Sequence, residues 1–245
     1  MQLWLCPLLA FLLGSIPFGL FISRSQGIDI RQHGSGNIGA TNVLRVMGKK
    51  YGIFCLILDA LKGFIPTVLA MTLIGFHGKI PALAIKPLLA HAYLFDAADQ
   101  WKAQSLQVLT GLLSILGHNY SPWVGFKGGK GIATSAGVII AFAPAAIVVL
   151  LAIWLLVFFI TRYVSLASII AAAALPVIVF LGGSAHHVDG DKNKPTLFEA
   201  GLWNKPLFIF SVVIAVLAIW KHRANIQRLM AGTENRFHKK TKTDV

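Results

Sequence analysis

Long apolar stretches, separated by short segments rich in glycine and basic residues, run through most of this sequence. Apolar residues make up 56% of the chain and charged residues only 13%, which is about half the charged share of soluble proteins. The mean hydropathy is +0.71. So few charges cannot cover a water-soluble globule, and they exclude a disordered chain. Cys6 and Cys55 both lie in apolar segments, which excludes a disulfide scaffold. The composition predicts an integral membrane protein, and we expect an all-α fold.

A helix that crosses a membrane needs about 20 consecutive apolar residues. Five segments approach this requirement: 3–23, 52–76, about 104–119, 164–182 and 206–220. A further region, 131–160, is either one long helix or two short helices that turn near Pro144. Both interpretations are open because Pro144 removes a backbone donor and disfavours helix at the preceding residue.

The positions of the basic residues favour the two short helices. Fifteen of the 22 Lys and Arg residues lie at Arg162 or in the segments 24–50, 117–133 and 221–245. All fifteen share one side of the membrane only if 131–160 turns back on itself, and cytoplasmic loops are enriched in Lys and Arg. The sequence therefore predicts seven transmembrane helices, with the N-terminus outside and the C-terminus in the cytoplasm.

The same distribution explains the net charge of +13 without nucleic acid as a partner. The basic residues flank apolar stretches and form no single soluble patch, so we expect them to meet anionic membrane lipids. We expect residues 1–234 to form one membrane-embedded domain and residues 235–245 to be a basic, disordered cytoplasmic tail.

The first basic segment contains a run of small and polar residues, GSGNIGATNVLR at 34–45. Glycines let backbone N–H groups approach an anion, and the polar side chains add hydrogen-bonding groups. The residues concerned are Gly34, Ser35, Gly36, Asn37, Thr41 and Asn42. Arg45 can bind phosphate through two parallel hydrogen bonds, and a helix that begins at Ala40 would favour an anion at its N-terminus. A tight glycine turn with Arg45 reaching lipid headgroups fits the spacing equally well.

A second segment, GHNYSPWVGFKGGKGIAT at 117–134, combines cations with glycines. The residues are Lys127, Gly128, Gly129, Lys130 and Gly131. A flexible backbone between two cations suits a phosphate group. The loop is not a Walker A motif, because Gly131 stands where Ser or Thr is required. The alternative is a basic turn at the membrane surface.

Two further groups of polar residues lie on predicted helices. Asp59 and Lys62 are three residues apart in the second span, hence on one helical face, and ionisable side chains in a span usually point inward. They either neutralise each other or serve the function directly. If the seventh helix continues beyond residue 220, His222 and Asn225 also share one face. Taken alone, His222 is an interfacial residue or a catalytic one.

In combination these segments resemble one family, the bacterial membrane acyl-phosphate:glycerol-3-phosphate acyltransferases. The matching stretches are GSIPFG (14–19), GSGNIGATNVLR (34–45), DALKG (59–63), GHNYSPWVGFKGGKGIAT (117–134), TRYVSLASI (161–169) and HRANIQRLMAGTE (222–234). They sample most of the chain in the order that the family has. The departures lie in the predicted external segments 77–103 and 183–205, which contain none of the motifs.

The resemblance implies a seven-helix protein of the bacterial inner membrane with its active site facing the cytoplasm. The implied reaction transfers a fatty acyl group from acyl phosphate to the 1-hydroxyl of sn-glycerol 3-phosphate. Its products are lysophosphatidic acid and phosphate, in phospholipid biosynthesis. The enzyme that supplies acyl phosphate is a candidate partner. No cofactor is implied, and the sequence shows no cluster of metal-ligating residues.

The resemblance also implies roles for individual residues. Ser35, Arg45, His222 and Asn225 would be catalytic, and the loop 127–131 would bind glycerol 3-phosphate. Glu234 would matter for the integrity of the structure. We also expect Asp59 and Lys62 to be structural or supporting residues.

An acyl phosphate is already activated, and the chain offers no arrangement of nucleophile, base and orienting group. We therefore expect direct attack of the glycerol hydroxyl on the acyl carbonyl. Ser35, Arg45 and the loop 127–131 would position the substrates and stabilise charge. The proton passes either to a phosphate oxygen of the donor or to His222.

Two other functions remain open on the sequence. Soluble-type glycerolipid acyltransferases use His-x₄-Asp and acyl-CoA, and His91 and Asp96 have that spacing. The predicted topology puts this pair outside, away from both basic loops, so we interpret it as a coincidence. A transporter of a phosphorylated solute would also use basic loops and an intramembrane pair such as Asp59 and Lys62, but we find no inverted repeat.

Overall fold

The computed structural model describes residues 3–77, 81, 83–185 and 205–237. Most of this part of the chain is helical: α1 Leu5–Gly14, α2 Phe18–Arg24, α3 Ala40–Met47, α4 Lys49–Leu73, α5 Gln100–Asn119, α6 Ile132–Phe142, α7 Pro144–Thr161, α8 Val164–Ala185, α9 Lys205–Lys221 and α10 Arg223–Met230. Short 3₁₀ turns lie at Ile30–Gln32, Lys86–His91, Ala97–Asp99 and Pro122–Val124. The end of the predicted basic tail, residues 238–245, lies outside the described residues.

The first predicted span consists of two helices, α1 and α2, joined by a break. Pro17 has no backbone N–H with which to continue α1. The Ile16 carbonyl faces Lys62 of α4, whose Nζ donates a hydrogen bond to it at 2.9 Å. Gly14 lies so close to α5 that a Cβ would overlap the Ser114 carbonyl. The break and the glycine therefore dock the N-terminal segment onto α4 and α5.

Helix α4 has 25 residues and is about 37 Å long at 1.5 Å per residue, which is enough to cross the hydrocarbon core. Its ion pair joins Lys62 Nζ to Asp59 Oδ1 at 2.9 Å and is almost fully buried, as the spacing predicts. Helix α6 packs closely on α4, because a Cβ at Gly63 would overlap the Thr134 carbonyl. The pair therefore lies in the centre of the helix bundle.

Helix α5 is enclosed by α1, α4 and α9. It begins at Gln100, earlier than the sequence predicts, and it is not among the helices that are apolar enough to be candidate spans. Two of its polar side chains bind carbonyls of other segments: Gln107 Nε2 donates to the Ile74 carbonyl at 2.5 Å, and Ser114 Oγ donates to the Lys62 carbonyl at 2.7 Å. A helix that faces protein on several sides does not need a lipid-compatible surface, so hydropathy located its start poorly.

The connection between α4 and α5 contradicts the all-α expectation. Strands β1 (Ile74–Phe76) and β2 (Tyr93–Phe95) pair as a two-stranded parallel sheet. Aromatic and β-branched residues favour the extended conformation. Pro81 and Pro87 prevent a single helix from filling the connection. The protein is therefore mostly helical and not entirely so.

Large apolar side chains are exposed along α1, α4, α7, α8 and α9, and they form the surface that faces lipid. Among the described residues, four segments are long and apolar enough to cross a membrane: Leu5–Arg24, Lys49–Leu73, Pro144–Thr161 and Val164–Leu181. The pair α9 and α10 adds a fifth candidate, bent by 55°. Helix α6 is apolar but has only 11 residues. The chain is a multi-pass integral membrane protein.

Two predicted features of the later helices had different outcomes. Helix α6 ends at Phe142 and α7 begins at Pro144, so the chain breaks where the proline predicts. The condition under which His222 and Asn225 would share one face of a seventh helix is not met, because α9 ends at Lys221 and the chain bends by 55° before α10. His222 and Asn225, at the bend and one turn later, are both buried nevertheless.

Candidate active site

The first basic loop is organised by the buried amide of Asn42, in the first turn of α3. Its Oδ1 accepts a hydrogen bond from the backbone N–H of Ser35 at 2.8 Å. Its Nδ2 donates to the carbonyls of His33 and Asn37 at 3.0 and 2.9 Å. Gly34 has a φ of +61°, and a Cβ there would overlap Asn42 Oδ1. The polar atoms of Asn42 are thus engaged in holding the shape of the loop.

Helix α3 begins at Ala40, as the sequence predicts, and carries Arg45 in its last turn. Asn37 Oδ1 accepts a hydrogen bond from the Gly39 N–H at 2.9 Å, which fixes the turn before the helix. Ser35 is exposed, and its hydroxyl forms no hydrogen bond with any residue that the structure describes. Thr41 is partly exposed beside it. The first loop therefore presents the free hydroxyl of Ser35 before α3, and α3 carries the cation of Arg45 in its last turn.

The second basic loop wraps around the end of α5. The Gly129 N–H donates to the His118 carbonyl at 3.1 Å. The His118 ring lies against Gly129, where a Cβ would overlap Nε2, and a Cβ at Gly128 would overlap the His118 carbonyl. Gly131 has a φ of +79°, which favours glycine. Packing and backbone conformation thus require all three glycines. His118 supports them, and although it belongs to the same motif, it was not identified from the sequence.

Two hydrogen bonds tie this loop to the break in the first span. Ser121 Oγ donates to the Ser15 carbonyl at 2.6 Å, and Trp123 Nε1 donates to Ser15 Oγ at 2.8 Å. Ser15 belongs to the short stretch GSIPFG. The GSIPFG stretch therefore holds the second basic loop in position.

Lys130 joins the second loop to the C-terminal helix α10. Its Nζ donates to Asn225 Oδ1 at 2.6 Å, and Asn225 Nδ2 donates to Glu234 Oε1 at 2.7 Å. Glu234 also accepts hydrogen bonds from Ser165 Oγ and Arg228 Nε, both at 2.8 Å. Three residues singled out in the sequence, Lys130, Asn225 and Glu234, thus form one network.

The surroundings set the charges of this network. Burial lowers the pKa of the Lys130 ammonium to about 8. Burial also acts to raise the pKa of Glu234, but hydrogen bonds from Asn225, Ser165 and Arg228 outweigh it and hold that pKa below its usual value. Glu234 is therefore a carboxylate near neutral pH. One anion stands against several cations, and the excess positive charge suits a phosphate ligand.

Arg45 meets the network across an open pocket of about 550 Å³. The lining residues are Arg45, Tyr163, Gly232, Glu234, Asn235, Arg236 and Phe237. The predicted boundary between domain and tail, after Glu234, therefore falls inside the pocket wall. Tyr163 lies in the matched stretch TRYVSLASI and could have been found there. Residues 235–237 had no such signal, because they look like the start of a basic tail.

His222 lies at the bend between α9 and α10 and is only 3% exposed. Its Nδ1 is 2.7 Å from the Ala218 carbonyl. A carbonyl can only accept a hydrogen bond, so Nδ1 carries the proton and Nε2 keeps its lone pair. Nε2 is therefore the ring nitrogen that can accept a proton.

Other predicted residues lie apart from the pocket. Asp59 and Lys62 are buried in α4, and the pair reaches the second loop through His118, whose Nδ1 is 3.7 Å from Asp59 Oδ1. Lys127 is exposed, and its ammonium forms no hydrogen bond or ion pair with the described residues. His91 and Asp96 are exposed in the connection beyond the far end of α4.

An apolar cleft of about 90 Å³ lies among α6, α7, α8 and α9. Its walls include Ile132, which directly follows the second loop, and Ala218, whose carbonyl holds His222. Leu150 and Leu175 line it as well. The cleft therefore adjoins the polar residues of the site. Within the described residues, no group of three or more His, Cys, Asp or Glu side chains is placed to hold a metal ion.

The sequence is similar to a known family of proteins along most of its length. A sequence profile of the family described as Glycerol-3-phosphate acyltransferase matches residues 4–232. Similar proteins with that name include those of Geobacter metallireducens, Geobacter sulfurreducens and Aquifex aeolicus, which are 45%, 42% and 40% identical. Each alignment covers 93% of this chain and 94% or 95% of the relative.

Two solved structures share the fold. Both are crystal structures of PlsY (YgiH), an integral membrane glycerol 3-phosphate acyltransferase, in its glycerol 3-phosphate and lysophosphatidic acid forms. Their TM-scores are 0.74 and 0.73 at 37% and 36% identity, over 97% of this chain and 96% of each of theirs. The fold, the motifs and these likenesses agree, and the chain belongs to the PlsY-type family of integral membrane glycerol-3-phosphate acyltransferases.

Proposed function

We propose that this protein transfers a fatty acyl group from an acyl phosphate to the 1-hydroxyl of sn-glycerol 3-phosphate, giving lysophosphatidic acid and inorganic phosphate. One observation carries the proposal: Arg45 and the Lys130 network, from distant parts of the chain, meet at Glu234 beside an apolar cleft. Both substrates carry phosphate and one carries an acyl chain, so their site needs cationic and apolar surfaces side by side.

The ligands named for the homologous crystal structures support this assignment. Glycerol 3-phosphate and lysophosphatidic acid are the acceptor and the product of the proposed reaction. The acyl phosphate donor is inferred from the motifs that the chain shares with acyl-phosphate-dependent enzymes. In this proposal the acyl chain enters the cleft beside Ile132 and Ala218, and its phosphate stays with the cations.

The chemistry requires no acyl-enzyme. The glycerol oxygen bonds to the acyl carbon, the bond from that carbon to the phosphate oxygen breaks, and phosphate leaves with the electron pair. The free hydroxyl of Ser35 donates a hydrogen bond to substrate oxygen, and Arg45 and Lys130 hold phosphate charge. The hydroxyl proton passes to a phosphate oxygen of the donor, whose second pKa is about 6, or to Nε2 of His222.

Asn225 and Glu234 act mainly on Lys130. Asn225 Oδ1 fixes the ammonium at 2.6 Å, and Glu234 fixes the Asn225 amide so that its oxygen faces the lysine. A flipped amide would present two donors to a cation. Glu234 thereby supports the site as well as joining α8 to α10.

We also propose seven membrane crossings, with the N-terminus outside and the site facing the cytoplasm of a bacterial cell. The loop before α6 contacts α10 through Lys130 and Asn225, and the start of α8, which follows α7 after two residues, contacts residues beyond α10 through Ser165 and Glu234. Both ends of 132–161 therefore lie near one site, which supports a hairpin at Pro144. The side is inferred from the enrichment of Lys and Arg in cytoplasmic loops.

The test is turnover by purified protein in detergent, supplied with acyl phosphate and glycerol 3-phosphate. Formation of lysophosphatidic acid and phosphate is expected, and acyl-CoA is expected not to replace acyl phosphate. A transporter would need a closed vesicle and would form no product. Absence of product from folded protein would contradict the proposal.

Variants extend the test to named residues. Arg45→Ala and Lys130→Ala should each lower kcat/KM by roughly 10- to 150-fold, the usual value of a charge-assisted contact. Arg45→Lys should not restore full activity, because a point charge cannot replace a planar fork. His91→Ala should keep most activity, as should Lys102→Ala, a matched loss of charge on an exposed lysine of α5. Wild-type rates in Arg45→Ala would remove that residue from the site.

Incubation with radiolabelled acyl phosphate and no acceptor tests the single-step route. Denatured protein should carry no covalent label, and His222→Ala should keep turnover reduced by about 10²-fold. A trapped acyl group on Ser35 would replace direct transfer with two steps.

A further inference from the structure

Residues 233–237 form a segment that we call the C-terminal strap, and it is fixed at three points. The Thr233 N–H donates to the Arg228 carbonyl at 2.8 Å, at the end of α10. The Glu234 carboxylate accepts from Ser165 Oγ at the start of α8. The Phe237 N–H donates to the Arg162 carbonyl at 3.0 Å. The strap is therefore held across the ends of α7, α8 and α10.

Arg45 has an unusual environment for an arginine at a polar site. Within the described residues, its guanidinium forms no hydrogen bond and no ion pair. The guanidinium instead contacts an aromatic ring: Cζ lies over the Phe237 ring, 5.4 Å from the centroid. The side chain is half-buried. Contact with a ring face leaves the N–H groups at the guanidinium edge available to a ligand, whereas a carboxylate partner would occupy them.

The Phe237 ring is itself fixed. It meets the Phe158 ring of α7 edge to face, with centroids 5.9 Å apart and planes at 74°. Phe158 in turn stacks on Trp154 at 5.1 Å. The aromatic row from α7 and the backbone bond to Arg162 together locate the ring beneath Arg45.

We propose that Phe237 is a positioning residue for Arg45, which it holds with the guanidinium edge free to bind a substrate phosphate. This inference rests on the acyltransferase function proposed above. It extends the site beyond the matched motifs, because residue 237 follows the last of them and lies outside the family profile, which ends at residue 232.

Three substitutions at Phe237 test the inference in the detergent assay. Phe237→Leu keeps the apolar bulk but removes the ring and should lower kcat/KM by roughly 2- to 30-fold, the usual range of a cation–π contact. Most of the loss should appear as a raised KM for the substrate whose phosphate Arg45 holds. Phe237→Tyr and Phe237→Trp should restore activity, because both keep an aromatic face.

Phe159→Leu is the matched control. Phe159, in α7, also lies beneath an arginine, with Arg162 Cζ 5.9 Å from its ring centroid, but it is exposed and lies outside the pocket. We expect wild-type kinetics from this variant. The melting temperature of Phe237→Leu should equal that of Phe159→Leu.

The double variant separates positioning from a general structural role. In an Arg45→Ala background, Phe237→Leu should cause no further loss of kcat/KM, because residues that act as a unit are not additive. The same fold-loss in both backgrounds would overturn the inference, as would full activity of Phe237→Leu in an assay where the wild type turns over. No acyl transfer by the wild type would overturn the proposed function and this inference with it.

Discussion

The charge of Lys130 depends on its surroundings, since burial lowers its pKa to about 8. The ammonium is charged below that pH and is neutralised as the pH rises through it. If it holds a substrate phosphate, kcat/KM should fall on the alkaline side with a midpoint near 8. A pH profile between 6 and 10 measures this limb.

Lys130→Arg provides the control, because a guanidinium stays charged over the whole range. The absolute rate should fall, since the fork does not fit the place of an ammonium, but the alkaline limb should move to higher pH. An unchanged limb in this variant would assign the titration to another group.

Motif residues and structural residues differ in how far the sequence could reveal them. Arg45, Lys130, Asn225 and Glu234 were all singled out, and the structure brings them together. Phe237 could not be found, because its role depends on which ring lies under Arg45, and that depends on the path of the chain after α10.

At the scale of elements, the second basic loop depends on close contact between its backbone and the end of α5. A Cβ at Gly128 would overlap the His118 carbonyl, which cannot move without displacing the end of α5. Gly128→Ala should therefore shift Lys130 and lower kcat/KM by up to about 10²-fold, the effect of a displacement of about 1 Å. Steady-state kinetics and the melting temperature would be measured together.

Gly75→Ala is the control for this loop variant. Gly75 lies in β1, where the nearest atom to a new Cβ is the flexible end of the Leu94 side chain at 3.0 Å. It should leave the kinetics unchanged. Wild-type activity of Gly128→Ala would show that the loop tolerates the displacement.

Helix α4 should depend on its ion pair for stability. Asp59→Ala leaves the Lys62 ammonium buried, although it still donates to the Ile16 carbonyl. Removing one partner of a buried pair costs about 3–5 kcal/mol, whereas removing both is much less harmful. In unfolding experiments in detergent, the Asp59→Ala variant should therefore be less stable than the double variant with Asp59→Leu and Lys62→Met. The reverse order would mean that the pair is not a stabilising unit.

The sequence located helices well where lipid imposes the pattern and poorly where protein surrounds the helix. The break at Pro144 follows from backbone chemistry, so it could be predicted. The bend at His222 could not, because no proline or glycine marks it in the sequence. The β1–β2 pair was missed because it depends on two short segments that are distant in sequence.

At the scale of the whole molecule, the proposed topology separates two exposed lysines. Lys127 lies in the second loop, and Lys86 lies beyond the far end of α4. With Cys6 and Cys55 replaced, single cysteines at these positions should be labelled by an impermeant thiol reagent from opposite sides of the membrane. Position 127 should react only from the cytoplasm. Labelling of both positions from one side would contradict a membrane crossing by α5, which lies between them.

The pocket joins Arg45, from the first fifth of the chain, to the strap at residues 233–237. A ribosome that adds about 5–20 residues per second makes Arg45 roughly ten to forty seconds before Phe237. During that interval the early helices enter the membrane without the far wall of the site. Chains released from the ribosome before residue 233 should therefore integrate into the membrane but remain unable to consume acyl phosphate, so catalysis begins only after the strap has been made.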